Sequence, residues 1–526
     1  MTDAPTTLPT LDAEVVDALA AVVGADAVYV ERQKVDEFKD AYWIPGDETY
    51  AAAAVVQPTT TEQVQEIMRI ANRYGIPVWP HGQGRNVGYG GPSPRVRGSI
   101  QIGFQNMNRV LEINEELAYA VVEPGVRWFD LYDAVKEAGY ALMTPCPDLG
   151  WGSVIGNSMD SGITYQFYGA DYMFPTGFEV VLPDGDLMRT GPGAIPGSKA
   201  WHLYKRSLGP SLDPLFVQSN LGIVTKMGVW LKRLPEAYAP VMLAIGEDED
   251  LEQAIDTIRE LRLGGHLEGV PTFYPTLRAA VMLKDDLVVD ARTQLTPEEV
   301  RAIGERTGVG AWAARAGVWG DADIVELQLK KIRTAWEKIP SGRMEAPRTY
   351  APDEYDQIVY SADQIMIGIP TLKAIENTPS HVAHVGFSPV VPMQGTEVRY
   401  VIDQMRRLIT EAGLNFSGGI MVTGERAGVV VAGMQYDRTD PAAVRNAFDL
   451  AKRLVAEIGK LGYGEYRAHL EFMDLAADQY SFNDHAYRRF VEKIKDAVDP
   501  RGILSPGRHG IWPAAYRDGG ELSARR

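Results

Sequence analysis

Residues 76–92 read IPVWPHGQGRNVGYGGP. A short apolar run, Ile76 to Trp79, ends at Pro80 and opens into a loop carrying Gly82, Gly84, Gly88, Gly90 and Gly91. Glycines at that density let backbone N–H groups turn inward together, forming a concave nest suited to a pyrophosphate. Arg85 adds a fixed charge and Asn86 a side-chain donor. The spacing Gly82, Gly84, Gly88 is one residue too long for the dinucleotide fingerprint of a doubly wound sheet. The loop also runs into Pro92 and Pro94 and then a strand-like SIQIGF (99–104), whereas that fingerprint opens a helix. Any phosphate bound here is held by loop amides. The other reading of the same residues is a glycine-rich turn between strands that binds nothing.

Helical signals lie just upstream. Thr60 and Gln63 fit a capping box, Val64, Ile67, Met68 and Ala71 form one apolar stripe, and Gly75 closes the element. Residues 11–75 thus read as a helix, a loop and a second helix, 61–74, followed by strand 76–79 and the glycine loop. Beyond it, YAVVEPGVRW (119–128) reads as strand and a helix follows near 129–138. The pattern is α+β, without regular βαβ alternation.

Two further small-residue runs resemble the first in composition. TPCPDLGWGSVIGNSMDSG (144–162) isolates Asp148 between prolines and glycines, and QSNLGIVTKMG (218–228) follows. Between them, VVLPDGDLMRTG (180–191) places Asp184–Gly185 as a hairpin turn. Three such loops in one N-terminal region point to convergence on one extended ligand, although an acid in a turn is ordinary by itself.

At 526 residues the chain is long enough for two to four domains. From about 238 long helices and strands alternate without glycine loops: strand 240–246, helix 248–263, strand 381–392, helix 396–412, strands near 419–424 and 428–434, helix 441–460. This predicts an antiparallel sheet covered by helices on one face. The expected division is 1–237, a substrate-covering 238–463, and a C-terminal 464–526 that returns to the first part.

The net charge of −18 argues against nucleic acid or an anionic membrane surface as partner. Cys146 is the only cysteine, so no intrachain disulfide exists. MTDAPTTLPT lacks the basic start and apolar run of a signal peptide, and no apolar segment reaches spanning length. A cytoplasmic setting is expected.

Within 381–388, alternation puts His381, Ala383, Val385 and Phe387 on one face and Val382, His384, Gly386 and Ser388 on the other. Small neighbours leave the His384 imidazole room to meet something flat, or it is simply a satisfied strand histidine. Tyr466 beside Arg467 is able to bind an anion, and such pairs also occur by chance. Tyr89 is bulky where small residues otherwise prevail, which places it at a pocket.

GRNVGYGG (84–91), VEPGVRWFDLY (122–132), PDLGWGSVIGN (147–157), EVVLPDG (179–185), QSNLGIVTKMG (218–228), HVGFSPV (384–390), GYGEYR (462–467) and SPGRHGIWP (505–513) run in order over nearly the whole chain. Together they resemble the vanillyl-alcohol oxidase/p-cresol methylhydroxylase flavoprotein family, in its branch acting on 4-substituted phenols. The resemblance implies a two-part FAD-binding domain, 1–237 plus 464–526, with an α/β cap domain at 238–463 built on an antiparallel sheet.

It also implies roles. His384 takes the position joined covalently to FAD. Arg85, Asn86 and the backbones of Gly82 to Gly88 hold the pyrophosphate, with Pro80, Gln83 and Gly84 in the same loop. Gly156, Asn157, Ser219, Gly222, Val224 and Arg508 are further cofactor contacts. Tyr89, Tyr466 and Arg467 bind the substrate as a phenolate, Asp148 acts as base near the flavin, and Tyr165, Tyr168 and Gly419 line the substrate pocket. Free phenols ionise only near about pH 10, so a positive, hydrogen-bonding site is needed at neutral pH. The expected partners are a small phenol and O₂, with no metal and a homodimer or higher homo-oligomer by analogy. The alternative acceptor is a cytochrome.

Two departures mark this chain. Relatives often continue Tyr168–Gly169 with Asp-His, where Ala170–Asp171 stands here. Gly418 and Gly419 replace larger residues, which implies either room for two ortho-methoxy groups or a bulge that requires glycine.

Overall fold

The computed structural model describes residues 8–167, 175–284, 292–376, 378–518 and 520. Helix Thr61–Tyr74 starts where the sequence places it, with the Thr60 hydroxyl accepting from the Gln63 N–H at 3.3 Å and Gly75 turning left-handed at φ 66°. Its buried stripe packs on a four-stranded sheet in the order Val28–Tyr29, Ala54–Val56, Ile100–Gly103, Val78–His81. Reading residues 11–75 as two helices and a loop is corrected here: two short strands intervene, each too brief to show a period. Strands Ala54–Val56 and Val78–His81 both pair parallel with Ile100–Gly103. The chain end returns to the same sheet, where the Val78 N–H donates to the Ile503 carbonyl at 2.8 Å and the Ser505 N–H to the Val78 carbonyl at 2.9 Å.

A five-stranded antiparallel sheet follows, in the order Val110–Asn114, Tyr119–Val122, Ile223–Trp230, Pro175–Val181, Leu187–Arg189. Its last pair is the hairpin turned at Asp184–Gly185. Helix Trp128–Glu137 packs in the core of this sheet.

Residues from Ala237 onward build the largest sheet, eight antiparallel strands. Helices Leu251–Leu263, Ala322–Trp336, Gly395–Glu411 and Pro441–Gly459 bury their apolar stripes against one face. The expectation of helices on one face only is corrected. Helix Thr276–Lys284 packs Ala279, Met282 and Leu283 against Ala244 and Ala313 on the opposite face. The central strand Trp312–Gly320 is therefore buried at each of its first eight residues. No helix among the described residues is long and apolar enough to cross a membrane.

Candidate active site

The glycine loop leaves strand Val78–His81 and closes over a long cleft. Pro80, Gly82, Gln83, Gly84, Arg85 and Asn86 line it from one side. Gly156, Asn157, Ser219, Gly222, Val224 and Arg508 line it from the other two loops and the chain end, so the three small-residue runs do converge. Arg85 lies over the Trp151 ring at 5.2 Å, and Arg508 over Trp79 at 5.5 Å. Several buried polar atoms on the walls have no protein partner: both ring nitrogens of His81, Asn157 Nδ2 and Ser219 Oγ. Donors left unsatisfied along a glycine-rich, Arg-lined cleft fit a ligand carrying phosphates and hydroxyls, as FAD does.

Gly88 and His384 meet farther along the glycine loop, at residues that do not themselves line the cleft. At Gly88, with φ +82°, an added Cβ would come within 2.7 Å of His384 Nε2, so only glycine lets the loop approach the ring. Tyr42 meets the imidazole edge-on at 5.4 Å. The alternation read from the sequence holds: Ala383, Val385 and Phe387 enter the hydrophobic core, and His384 faces away from it. Burial, helped by the charge of Arg278 and opposed by Asp40, lowers the His384 pKa to about 4. The ring is therefore neutral at physiological pH.

Tyr89, Tyr466 and Arg467 come together as the sequence suggests. The Arg467 guanidinium lies 4.1 Å over the Tyr89 ring and 5.6 Å from that of Tyr466, and both Tyr89 and Arg467 line the cleft. The Tyr89 hydroxyl is 3.5 Å from Ser388 Oγ. Behind Arg467 stands Asp160, unremarked in the sequence. It accepts from Asn86 Nδ2 at 3.0 Å and Arg508 Nη2 at 3.2 Å, lies 3.3 Å from His509 Nε2, and is 3.9 Å from Arg467 Nε. Burial would raise the Asp160 carboxyl, but His509, Arg508 and Arg467 hold it far below the usual range.

Asp148 belongs to a second cluster. Its Oδ1 accepts from Arg315 Nη2 and its Oδ2 from the Tyr165 hydroxyl, each at 2.6 Å. Arg315 is 1 % exposed and lies 4.0 Å over the Tyr165 ring and 5.6 Å from that of Tyr274. Burial would raise the Asp148 carboxyl; Arg315 and Tyr165 outweigh it and keep the carboxyl below its ordinary value. Gly419 stands beside this cluster, where an added Cβ would come 3.0 Å from the Phe273 carbonyl and 3.2 Å from the Tyr274 ring. Tyr168 lies outside the described residues.

Arg315, Tyr274, Asp160 and His81 were missed. A usable signal existed for Arg315 alone: strand parity puts Trp312, Ala314, Ala316 and Val318 on the core face and Arg315 on the other, within an otherwise apolar run. Among the described residues no His, Cys, Asp and Glu group is arranged to hold a metal.

A family model described as an FAD binding domain matches residues 52–191. The flavoprotein subunit of 4-cresol dehydrogenase (hydroxylating) from Pseudomonas putida is 32 % identical over 504 residues, covering 94 % of this chain and 95 % of that protein. Among solved structures, 4-ethylphenol oxidase from Gulosibacter chungangensis in its isoeugenol complex superposes with a TM-score of 0.91 at 35 % identity, covering 97 % of this chain and 100 % of the other. Substrate-bound p-cresol methylhydroxylase gives 0.88 at 30 % identity, covering 96 % and 99 %. Cleft and relatives together define an FAD-dependent oxidoreductase. The chain belongs to the vanillyl-alcohol oxidase/p-cresol methylhydroxylase family.

Proposed function

We propose that this protein oxidises para-substituted phenols, such as 4-hydroxybenzyl alcohols and 4-alkyl- or 4-allylphenols, and passes the electrons to O₂, yielding hydrogen peroxide. The observation that carries this reading is the half-buried Arg467 set beside two tyrosines, with its charge only loosely offset by a carboxylate 3.9 Å away. Such a site favours a phenolate over a phenol. Tyr89 and Tyr466 add hydroxyl donors to the same oxygen. A para-oxygen anion pushes electron density towards the benzylic carbon, which eases hydride loss and leaves a p-quinone methide. Bound FAD, held by the glycine loop and the Asn157 and Ser219 loops with His384 as its covalent attachment, supplies the hydride acceptor. Asp148, kept ionised, is the acceptor for the proton of a benzylic alcohol or of water adding to the quinone methide.

A second reading has one observation in its favour. The similar 4-cresol dehydrogenase protein is a flavoprotein subunit, which fits electron transfer to a cytochrome subunit. The test is the visible spectrum of the anaerobic holoenzyme before and after 4-ethylphenol or vanillyl alcohol, then after air. Bleaching of the flavin band followed by fast recovery in air is expected. Bleaching with sluggish recovery favours the cytochrome reading, and no bleaching with either compound refutes the substrate class. Yellow colour retained in acid-precipitated protein is expected from the His384 bond; colour released to the supernatant refutes it.

A further inference from the structure

Asp148 sits on a loop outside the eight-stranded sheet, yet its strongest partner belongs to that sheet. Arg315 is in the central strand Trp312–Gly320, opposite Thr272 on one side and Met242 on the other. Its backbone is held in a buried strand paired on both sides at this position, and its guanidinium lies against the Tyr165 and Tyr274 rings. A side chain so held has little freedom to leave. A second tie joins the loop to the same part of the chain as Arg315: the Gly150 N–H donates to the Thr371 carbonyl at 3.0 Å. An ion pair of 2.6 Å between these two elements ties them at the carboxylate itself. The Tyr165 hydroxyl takes the second carboxylate oxygen, so both oxygens are engaged while the side chain keeps 27 % of its surface accessible.

Other ionisable groups face Asp148, and they differ in what they contribute. Tyr165, Tyr274 and Cys146 are all raised by burial, Tyr274 to about 12, and stay neutral at working pH. Arg278, on helix Thr276–Lys284, favours the carboxylate as a charge but forms no ion pair with it. Arg315 alone contributes both charge and contact.

We infer that Arg315 is a positioning residue for the proposed oxidation: it holds Asp148 ionised and fixed in one orientation, acting through that carboxylate without touching the substrate. This rests on the phenol-oxidising reading above. Without Arg315 the burial of Asp148 goes unopposed by its nearest charge, so the carboxyl protonates at higher pH. Asp148 then ceases to serve as a proton acceptor in the mildly acidic range.

The test is anaerobic reduction of the holoenzyme flavin by vanillyl alcohol, whose benzylic alcohol proton goes to Asp148, followed by stopped flow from acid to alkaline pH, in Arg315→Met, Arg315→Lys, Asp148→Asn and the Arg315→Met/Asp148→Asn double variant. In Arg315→Met the acid limb of the rate profile is expected to move up by about one to three units, the usual effect of losing an adjacent opposite charge. Arg315→Lys restores most of it. Asp148→Asn abolishes the limb, and the double variant is no slower than Asp148→Asn, because the two residues act as one unit. The flavin-to-protein absorbance ratio identifies any variant that misfolds, and the lysine variant then carries the test: its profile lies at or slightly above that of the parent protein. A uniform slowing at every pH with an unmoved limb, in either variant, overturns the inference and leaves the substrate reading standing, as does additivity in the double variant. A parent flavin reduced by 4-ethylphenol but not by vanillyl alcohol overturns the inference alone, and one reduced by neither takes down both.

Discussion

Arg467 and Arg315 are flanked by tyrosine rings at nearly the same distances, 4.1 and 5.6 Å for the first, 4.0 and 5.6 Å for the second. Their acids set them apart. Arg315 meets Asp148 at 2.6 Å, whereas the carboxylate near Arg467, Asp160, is 3.9 Å off and shared with Arg508, His509 and Asn86. The same three residue types thus make two kinds of site. The Arg315 cluster is a direct ion pair on a carboxylate, made through Nη2, with Nε and Nη1 buried and without a hydrogen-bond partner among the described residues. The Arg467 cluster retains positive charge on the cleft wall, where an anionic substrate oxygen gains most from it.

The sharpest way to break this contrast is to remove the retained charge. Arg467→Met should lower kcat/KM for 4-ethylphenol by about 10²–10³, the scale of losing one charge-stabilising donor in a dry site. It should also return the pKa of a bound phenol inhibitor towards about 10, read from ultraviolet difference spectra across pH. The two clusters would be equivalent if Arg467→Met cost no more than Arg315→Met and left that pKa in place.

Tyr165→Phe probes the direct pair more gently. It deletes the hydroxyl that donates to Asp148 Oδ2 at 2.6 Å but leaves the aromatic platform under Arg315. A hydrogen bond to a charged group contributes about 1.5–3 kcal/mol, so the acid limb of flavin reduction by vanillyl alcohol should rise by roughly one to two units. The sign follows from the direction at Asp148. Its carboxyl is held low in the folded protein, so removing a partner raises it, and activity is lost from the acid side only. An alkaline-side loss would place Tyr165 in contact with the substrate.

Local signals and distant ones divide what the sequence discloses. The Gly75 terminus and the Asp184–Gly185 hairpin are written in a few adjacent residues and form as read; the Thr60 cap forms too, but the capping box is only half made, because the Gln63 side chain reaches back to the Thr59 N–H at 2.7 Å. The glycine loop, Tyr89 and the adjacent Tyr466–Arg467 pair were legible for the same reason. Strand parity puts His384 on the face turned from the core, and its role at the cofactor comes only from the family resemblance. Arg315 and Asp148 are 167 positions apart, and Asp160 and Arg508 are 348 apart. Nothing in the turn SMDSG distinguishes a solvent-facing Asp from one that gathers two arginines and a histidine. That distinction exists only once the chain end packs against the first sheet.

The smallest expected effect concerns Asp160, and it bears on why the charge of Arg467 is left available. Asp160 is buried, with carboxylate oxygens turned to Asn86, Arg508 and His509; its carboxylate is 3.9 Å from Arg467 Nε, and only its backbone carbonyl accepts from Arg467 Nη1, at 3.4 Å. Asp160→Asn keeps the shape and removes the charge. Arg467 and Arg508 then lose a shared counter-charge, and a phenolate should bind about two- to fivefold tighter, the scale of a loosely held ion pair. Because the Asp160 carboxyl is held far below the ordinary range, it is ionised at every pH where the enzyme is assayed. The gain should therefore be flat with pH, unlike the pH-limited loss in Arg315→Met. Stability moves the other way. A carboxyl depressed on folding stabilises the protein fully above its unfolded pKa, and that stability fades only as pH falls through the depressed value. The variant should melt lower at neutral pH, with the gap closing only in strong acid. Weaker phenol binding by Asp160→Asn would show that Asp160 aims the guanidinium of Arg467, and the two arginine sites would then differ in degree, no longer in kind.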